Sequence, residues 1–261
     1  MHCRTAAHRS VKQGGANDMG DMKGMINFEP EMHFMPFPIG ISRPVFSQDL
    51  YDELVATYPP PDLFRRTNRS KDVRYILNDV KQRKRFEDWI ARHAAWRELT
   101  KWVRSSEFAF GVLETLAQKG ADLAVRRDEH YLVPQIRRAL GDMIKRGRKP
   151  RLPRFVHSRF EFAMLPAHGG YLKPHTDAPN ILVVLVIPII RPGVWDPAWG
   201  GGLEICRPKD PNQNFNWANR FIGFDEAEPV RIFPYLPNQC MFFIKCHAQH
   251  HHARDRAGLR R

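Results

Sequence analysis

The chain reads as an α+β protein in which helices buttress a β-barrel or sandwich. Three observations predict this. Up to about residue 146 apolar residues recur at three- and four-residue steps. After Arg154 the pattern changes to short apolar runs separated by Gly, Pro and Asn. Helical segments come first and strand-like segments after, without internal repeats, which is the order of a layered α+β domain. At 261 residues the chain is long enough for one large domain or two modest ones, and a single domain over 28–261 is expected. Residues 1–27 carry Gly, Asn, Asp, Met and Lys without a period and read as a disordered leader.

Phe34 to Ile41 is extended, and its prolines at 36 and 38 suit an edge strand because they offer no ladder donor. Ser47 can cap a helix over 48–57, with Leu50, Leu54 and Val55 at helical spacing. Tyr58-Pro59-Pro60-Pro61 stops it. From Arg83 to about Lys119, Phe86, Trp89, Ile90, His93 and Trp96, then Phe108, Val112, Leu113 and Leu116, mark helices, with Gly120 as a terminator. A further helix is expected over 129–146, followed by the basic loop Lys145 to Arg151. Expected strands are 155–165, 181–189, 202–206, 230–233 and 240–245.

Composition excludes several classes. Hydrophobic residues at 43% and charged residues at 26% match globular proteins, not collagen, coiled coil or a wholly disordered chain. The longest apolar run, Ile181 to Ile190, is interrupted by Pro188 and too short to span a bilayer, so no membrane partner is expected. Four cysteines without a CxxC pair, and no secretory signal, point to a reducing cytoplasm. The net charge of +13 attracts anions: nucleic acid, phosphorylated sugars or a dicarboxylate cosubstrate.

The chemistry concentrates in Gly169 to Asp177. In extended chain His175 and Asp177, two apart, point to one side, where an imidazole and a carboxylate can meet one metal ion or simply pair with each other. Downstream, the strand Cys240 to Lys245 runs into His247, His250, His251 and His252, with Arg260 and Arg261 beyond. Two His and one carboxylate make the facial triad of non-haem Fe(II) oxygenases, and an arginine fork suits the far carboxylate of a 2-keto acid. Glu204 is either a supporting carboxylate or an exposed strand residue; Trp195, Trp199 and Trp217 either line a substrate mouth or pack. His157 and His168 read as structural or solvent-facing, and Cys240 and Cys246 as small apolar groups.

Arg159-Phe160-Glu161-Phe162 through Gly170 to Asp177, together with Asn238 to Lys245, carry a resemblance. From about Phe34 to Arg261 the chain resembles the Fe(II)/2-oxoglutarate-dependent dioxygenase superfamily, in its prolyl-4-hydroxylase-like branch. The resemblance implies a double-stranded β-helix (jelly-roll) core over about 154–261, supported by helices over about 47–150. It implies His175, Asp177 and His251 as metal ligands, His251 standing six residues after Lys245, with His250 and His252 as the alternatives. Arg260, nine residues further, takes the cosubstrate's far carboxylate, with Tyr171 supporting it. The implied cofactors are Fe(II), 2-oxoglutarate as cosubstrate and ascorbate as an accessory reductant. The implied activity is hydroxylation of a small-molecule or peptide substrate with release of succinate and CO2. The family pattern has a strand beyond this arginine, so the resemblance leaves open whether the chain is truncated at Arg261. Rival expectations are a nucleic-acid demethylase of the same superfamily, a non-catalytic metal-binding jelly-roll module, and a zinc hydrolase on the same ligands.

Overall fold

The structure, a computed structural model, describes residues 25–67, 72–125, 156–166, 169–178, 180–191, 193–213, 220–245 and 250–255. Among these it is a mixed α+β protein with four α-helices and three sheets, every strand pair antiparallel.

The chain enters through a hairpin of β1 (Glu31–His33) and β2 (Ile39–Ser42). Here the edge-strand expectation is corrected. Pro36 and Pro38 lie in the connection between two short strands, where a missing N–H costs no ladder bond. β2 is interior, pairing β1 on one side and β11 (Cys240–Ile244) on the other. Gly40 is needed at that crossing: a Cβ there would collide with the Glu31 carbonyl and the Phe242 ring.

Helix α1 (Gln48–Ala56) follows as expected, although Ser47 occupies the N-cap without a side-chain cap bond. Tyr51 anchors α1 from a fully buried position; its hydroxyl accepts from the Ile190 N–H and lies 3.1 Å from the Pro188 carbonyl. The stretch from Arg83 to about Lys119, expected as two helices, divides into three: α2 (Arg83–Arg92), α3 (Ala94–Val103) and α4 (Ser106–Gln118). The break falls at His93, which is extended, and at Arg104–Ser105, where the Ser105 Oγ accepts from the Phe108 N–H and starts α4. The apolar period runs through the first break because all three helices face one core, with Phe86, Ile90, Trp96, Leu99, Phe108, Val112 and Leu116 in it. Gly120, at positive φ, ends α4 as expected.

The short strands β3 (Arg65–Arg66) and β5 (Tyr75–Leu77) join β6 (Phe162–Met164) in a three-stranded sheet beside the helices, a feature sequence reading did not anticipate. Phe162 from β6 meets Trp96 edge-on at 4.7 Å. The expected helix over 129–146 and the basic loop lie outside the described residues.

The remaining strands form two facing sheets. One runs β1-β2-β11-β8, with β8 at Val183–Val186; the other runs β10-β9-β12-β7-β4. Here β4 is Asp72–Val73, β7 Tyr171–His175, β9 Gly200–Pro208, β10 Ala227–Phe233 and β12 His250–Asp255. From β7 onward the chain alternates between them: β7 in the second sheet, β8 in the first, β9 and β10 in the second, β11 in the first, β12 in the second. β9 and β10 are longer than expected, and β8 is shorter because Pro188 cannot continue the ladder.

β11 shows why its five residues are apolar without interruption: all are buried, on two faces. Cys240, Phe242 and Ile244 join the core beneath the helices, whereas Met241 and Phe243 join Phe37, Ile39, Leu203, Ile205 and Phe233 between the sheets. Asn238 sets the turn into β11. It takes a left-handed φ of 53°, which Asn tolerates better than most residues. Its Oδ1 accepts from the Val45 and Phe46 N–H groups, and its Nδ2 donates to the Phe46 carbonyl. Val45 N–H also donates to the Asn238 main-chain carbonyl, so Asn238→Ala should cost about 2–3 kcal/mol chiefly because the Phe46 N–H and carbonyl lose their partner and the new residue strains the turn. Chemical denaturation reads this directly; a loss below about 1 kcal/mol would mean the clamp is dispensable.

No helix among the described residues is long and apolar enough to cross a membrane. Met25 and Ile26, inside the expected leader, already pack against the core.

Candidate metal centre

The turn that launches β7 needs glycine twice. Gly169 has a φ of 75°, and a Cβ on Gly170 would collide with Pro166, whose carbonyl accepts the Gly170 N–H. β7 then lies between β4 and β12. Its register with β12 is irregular: Leu172 opposes Ala253 but His175 opposes His251. Three steps on β7 thus match two on β12, a bulge. The consequence is that Tyr171 and His175, four apart, do not share a face. Tyr171 meets the Phe224 ring edge-on at 5.9 Å, and His175 turns toward Phe221.

His175 is 6% exposed and held by the Lys173 carbonyl and by Phe221. Its Nδ1 lies 2.9 Å from the Lys173 carbonyl, which can only accept, so the neutral ring carries its proton on Nδ1 and a lone pair on Nε2. Phe221 bridges His175 in the ladder and stacks on its ring, 4.8 Å away and tilted by only 8°. The segment around Phe221 is itself pinned, since Thr176 N–H donates to the Arg220 carbonyl and Ile222 N–H to the Pro174 carbonyl.

Asp177 lies just past the end of β7, its side chain 15% exposed, with Oδ1 3.7 Å from His175 Nε2. The sequence expectation that these two groups come together therefore holds. The separation is too long for a hydrogen bond and short enough for one cation. Nitrogen and oxygen ligands sit about 2.1 Å from a first-row divalent metal, so two of them span at most about 4.2 Å. An imidazole lone pair facing a carboxylate, with the other ring nitrogen anchored on a carbonyl, is a donor set that suits such an ion. Lys245, at the end of β11, donates from Nζ to the Asp177 main-chain carbonyl at 2.6 Å, and its own N–H donates to the Leu182 carbonyl.

Among the described residues no group of three His, Cys, Asp or Glu side chains collects around one point. For the expected third ligand, the structure gives only the register of the backbone. In β12, His251 holds the register row that joins Ile205 of β9 to His175 of β7. Ile205 is fully buried in the core between the sheets. His250 and His252 hold the neighbouring rows of Cys206 and Glu204. Arg260, His168, Trp217, Cys246 and His247 lie outside the described residues.

Other sequence candidates are accounted for by packing. Trp195 sits over Gly201 and against Tyr235 and Trp199. This cluster is at the start of β9, about 15 Å along the strand from the row of His175. Glu204 shares its row with Ile232, which is 45% exposed. His157 is exposed. Cys240 is buried in the helix-side core, and burial pushes its thiol well up. Cys206 is buried with Ile222 and Ala227; burial, and to a lesser degree Glu204, push its thiol up to about 12, so no thiolate is offered beside the site.

Phe221 and the carbonyl-binding role of Lys245 were not anticipated. Nothing in the sequence signals Phe221, whose place depends on a distant loop returning to β7. Lys245 left a signal, a lone cation closing a wholly apolar strand. Neither a protein-family model nor a curated protein matches the chain.

Proposed function

We propose that the chain is an Fe(II)- and 2-oxoglutarate-dependent dioxygenase with a double-stranded β-helix core, hydroxylating a small-molecule or peptide substrate. The single observation that carries this is the buried His175–Asp177 pair, with Nε2 facing Oδ1 at 3.7 Å and Nδ1 committed to a carbonyl. The β-helix reading is supported by the chain's alternation between two facing antiparallel sheets from β7 to β12. The metal would be held by His175, Asp177 and His251. His251 is preferred over His250 and His252 because its row contains both His175 and the core residue Ile205.

When bound, Fe(II) with 2-oxoglutarate supplies an oxidation that consumes dioxygen, releases succinate and CO2, and inserts one oxygen atom into a substrate C–H bond. The protein's own residues do simpler work. His175 offers a preformed lone pair, because the Lys173 carbonyl fixes its tautomer and Phe221 fixes its plane. Asp177 contributes the negative charge that a divalent ion requires. Arg260 is assigned to the far carboxylate of the cosubstrate, where a planar fork gives two parallel hydrogen bonds.

Protein loaded with Fe(II), given 2-oxoglutarate and ascorbate, should form succinate only in the presence of oxygen, and His175→Ala should reduce this to background. Equal succinate from wild type and His175→Ala would contradict the assignment. Turnover of a hydrolysable substrate with zinc and without oxygen would place the pair in a hydrolase instead. Retention on DNA or RNA that falls steeply with salt would direct the substrate class to nucleic acid.

A further inference from the structure

We infer that Lys245 is a positioning residue for the His175–Asp177 pair, an inference that rests on the metal assignment above. Asp177 follows β7 and lies beyond its ladder, so strand pairing does not set its main chain. On one side it is fixed through Thr176, whose N–H donates to Arg220 and whose Oγ1 is 3.5 Å from the Arg220 nitrogen. On the other side the Asp177 carbonyl receives the Lys245 ammonium at 2.6 Å, a charge-assisted bond of the strong kind.

The root of Lys245 is rigid. Its N–H donates to Leu182, ahead of β8, and the preceding Ile244 N–H donates to Pro38, ahead of β2. The Ile244 side chain is buried in the helix-side core. The ammonium is thus held by the first sheet, while His175 belongs to the second. Lys245 ties the carboxylate-bearing turn of one sheet to the end of the central strand of the other. Removing that tie takes a strong bond from the Asp177 main chain and loosens the hold on Oδ1 opposite Nε2, while the apolar core is left intact. An apolar strand end does not need a lysine for packing, and a long ammonium stem is suited to reach a carbonyl across the gap.

The test uses the full chain and Co(II) as the probe metal, read by its visible ligand-field bands, with thermal unfolding of the metal-free proteins alongside. Wild type should bind one Co(II), and His175→Ala should lose it. Lys245→Met should weaken Co(II) binding 10- to 100-fold, the range for residues that orient a ligand from behind it. It should also shift the ligand-field bands, while metal-free unfolding stays within a few degrees of wild type. Lys245→Arg should recover most of the affinity. Lys245→Met binding Co(II) like wild type, with unshifted bands, would overturn the inference and leave the metal assignment standing. Wild type failing to bind Co(II) would overturn both. If Lys245→Met does not fold, Lys245→Gln decides on the same terms: weakened binding and shifted bands support the inference, and wild-type behaviour overturns it.

Discussion

His175→Ala should abolish metal binding, and His251→Ala should come close to doing so, whereas His250→Ala and His252→Ala should stay within a few-fold of wild type. The prediction follows from geometry. His175 is the one described imidazole that is buried, fixed in tautomer and facing a carboxylate at 3.7 Å. Losing a residue that merely orients a ligand typically costs 10- to 100-fold in metal affinity, so losing the ligand itself should exceed that. The contrast among the three neighbouring histidines depends on register. A shift of one residue moves a strand position to the other face, and His251 alone shares the row of Ile205 and His175. Isothermal titration with Co(II) or Mn(II) on each variant measures the series. If His250→Ala or His252→Ala proved the damaging change, the ladder would be out of step by one residue.

The second large effect is on stability. Phe242→Ala should destabilise the protein by about 3–5 kcal/mol, the usual range for emptying a buried aromatic site. Phe242 is fully buried, packs over Gly40 and meets Phe28 edge-on at 5.2 Å. It belongs to the helix-side core, so its removal should weaken the attachment of the helices to the first sheet before it touches the His175–Asp177 pair. Denaturant unfolding gives the magnitude. A loss below about 1.5 kcal/mol would mean that the helices and the hairpin close over the gap.

How far the sequence revealed this arrangement depended on how local the cause was. The switch from helical spacing to punctuated apolar runs, the stop at Gly120 and the five apolar residues of β11 all arise from patterns within one segment, and they were readable. So was the His175–Asp177 pair, because a two-residue spacing in extended chain needs no knowledge of the fold. The break near Ser105 was legible, because the apolar positions fall into two groups, 86–96 and 108–116; the break at His93 was hidden, since residues on both sides of it face the same core and the apolar period carries on. The short strands β3, β4 and β5 left no pattern, because two or three residues cannot display alternation. The bulge that separates Tyr171 from His175 is a property of the pairing between β7 and β12, so no reading of either strand alone could reveal it. Phe221 is hidden for the same reason: its ring reaches His175 through a contact between segments about 46 residues apart in the chain.

The central claim is that His175 and Asp177 hold a metal that also takes a 2-keto acid. Its most direct test is an anaerobic titration of the full chain with Fe(II) and then 2-oxoglutarate, followed in the visible. A weak metal-to-ligand charge-transfer band should grow in wild type, vanish in His175→Ala and weaken in Arg260→Ala. A folded wild-type protein that binds Fe(II) but develops no such band would contradict it.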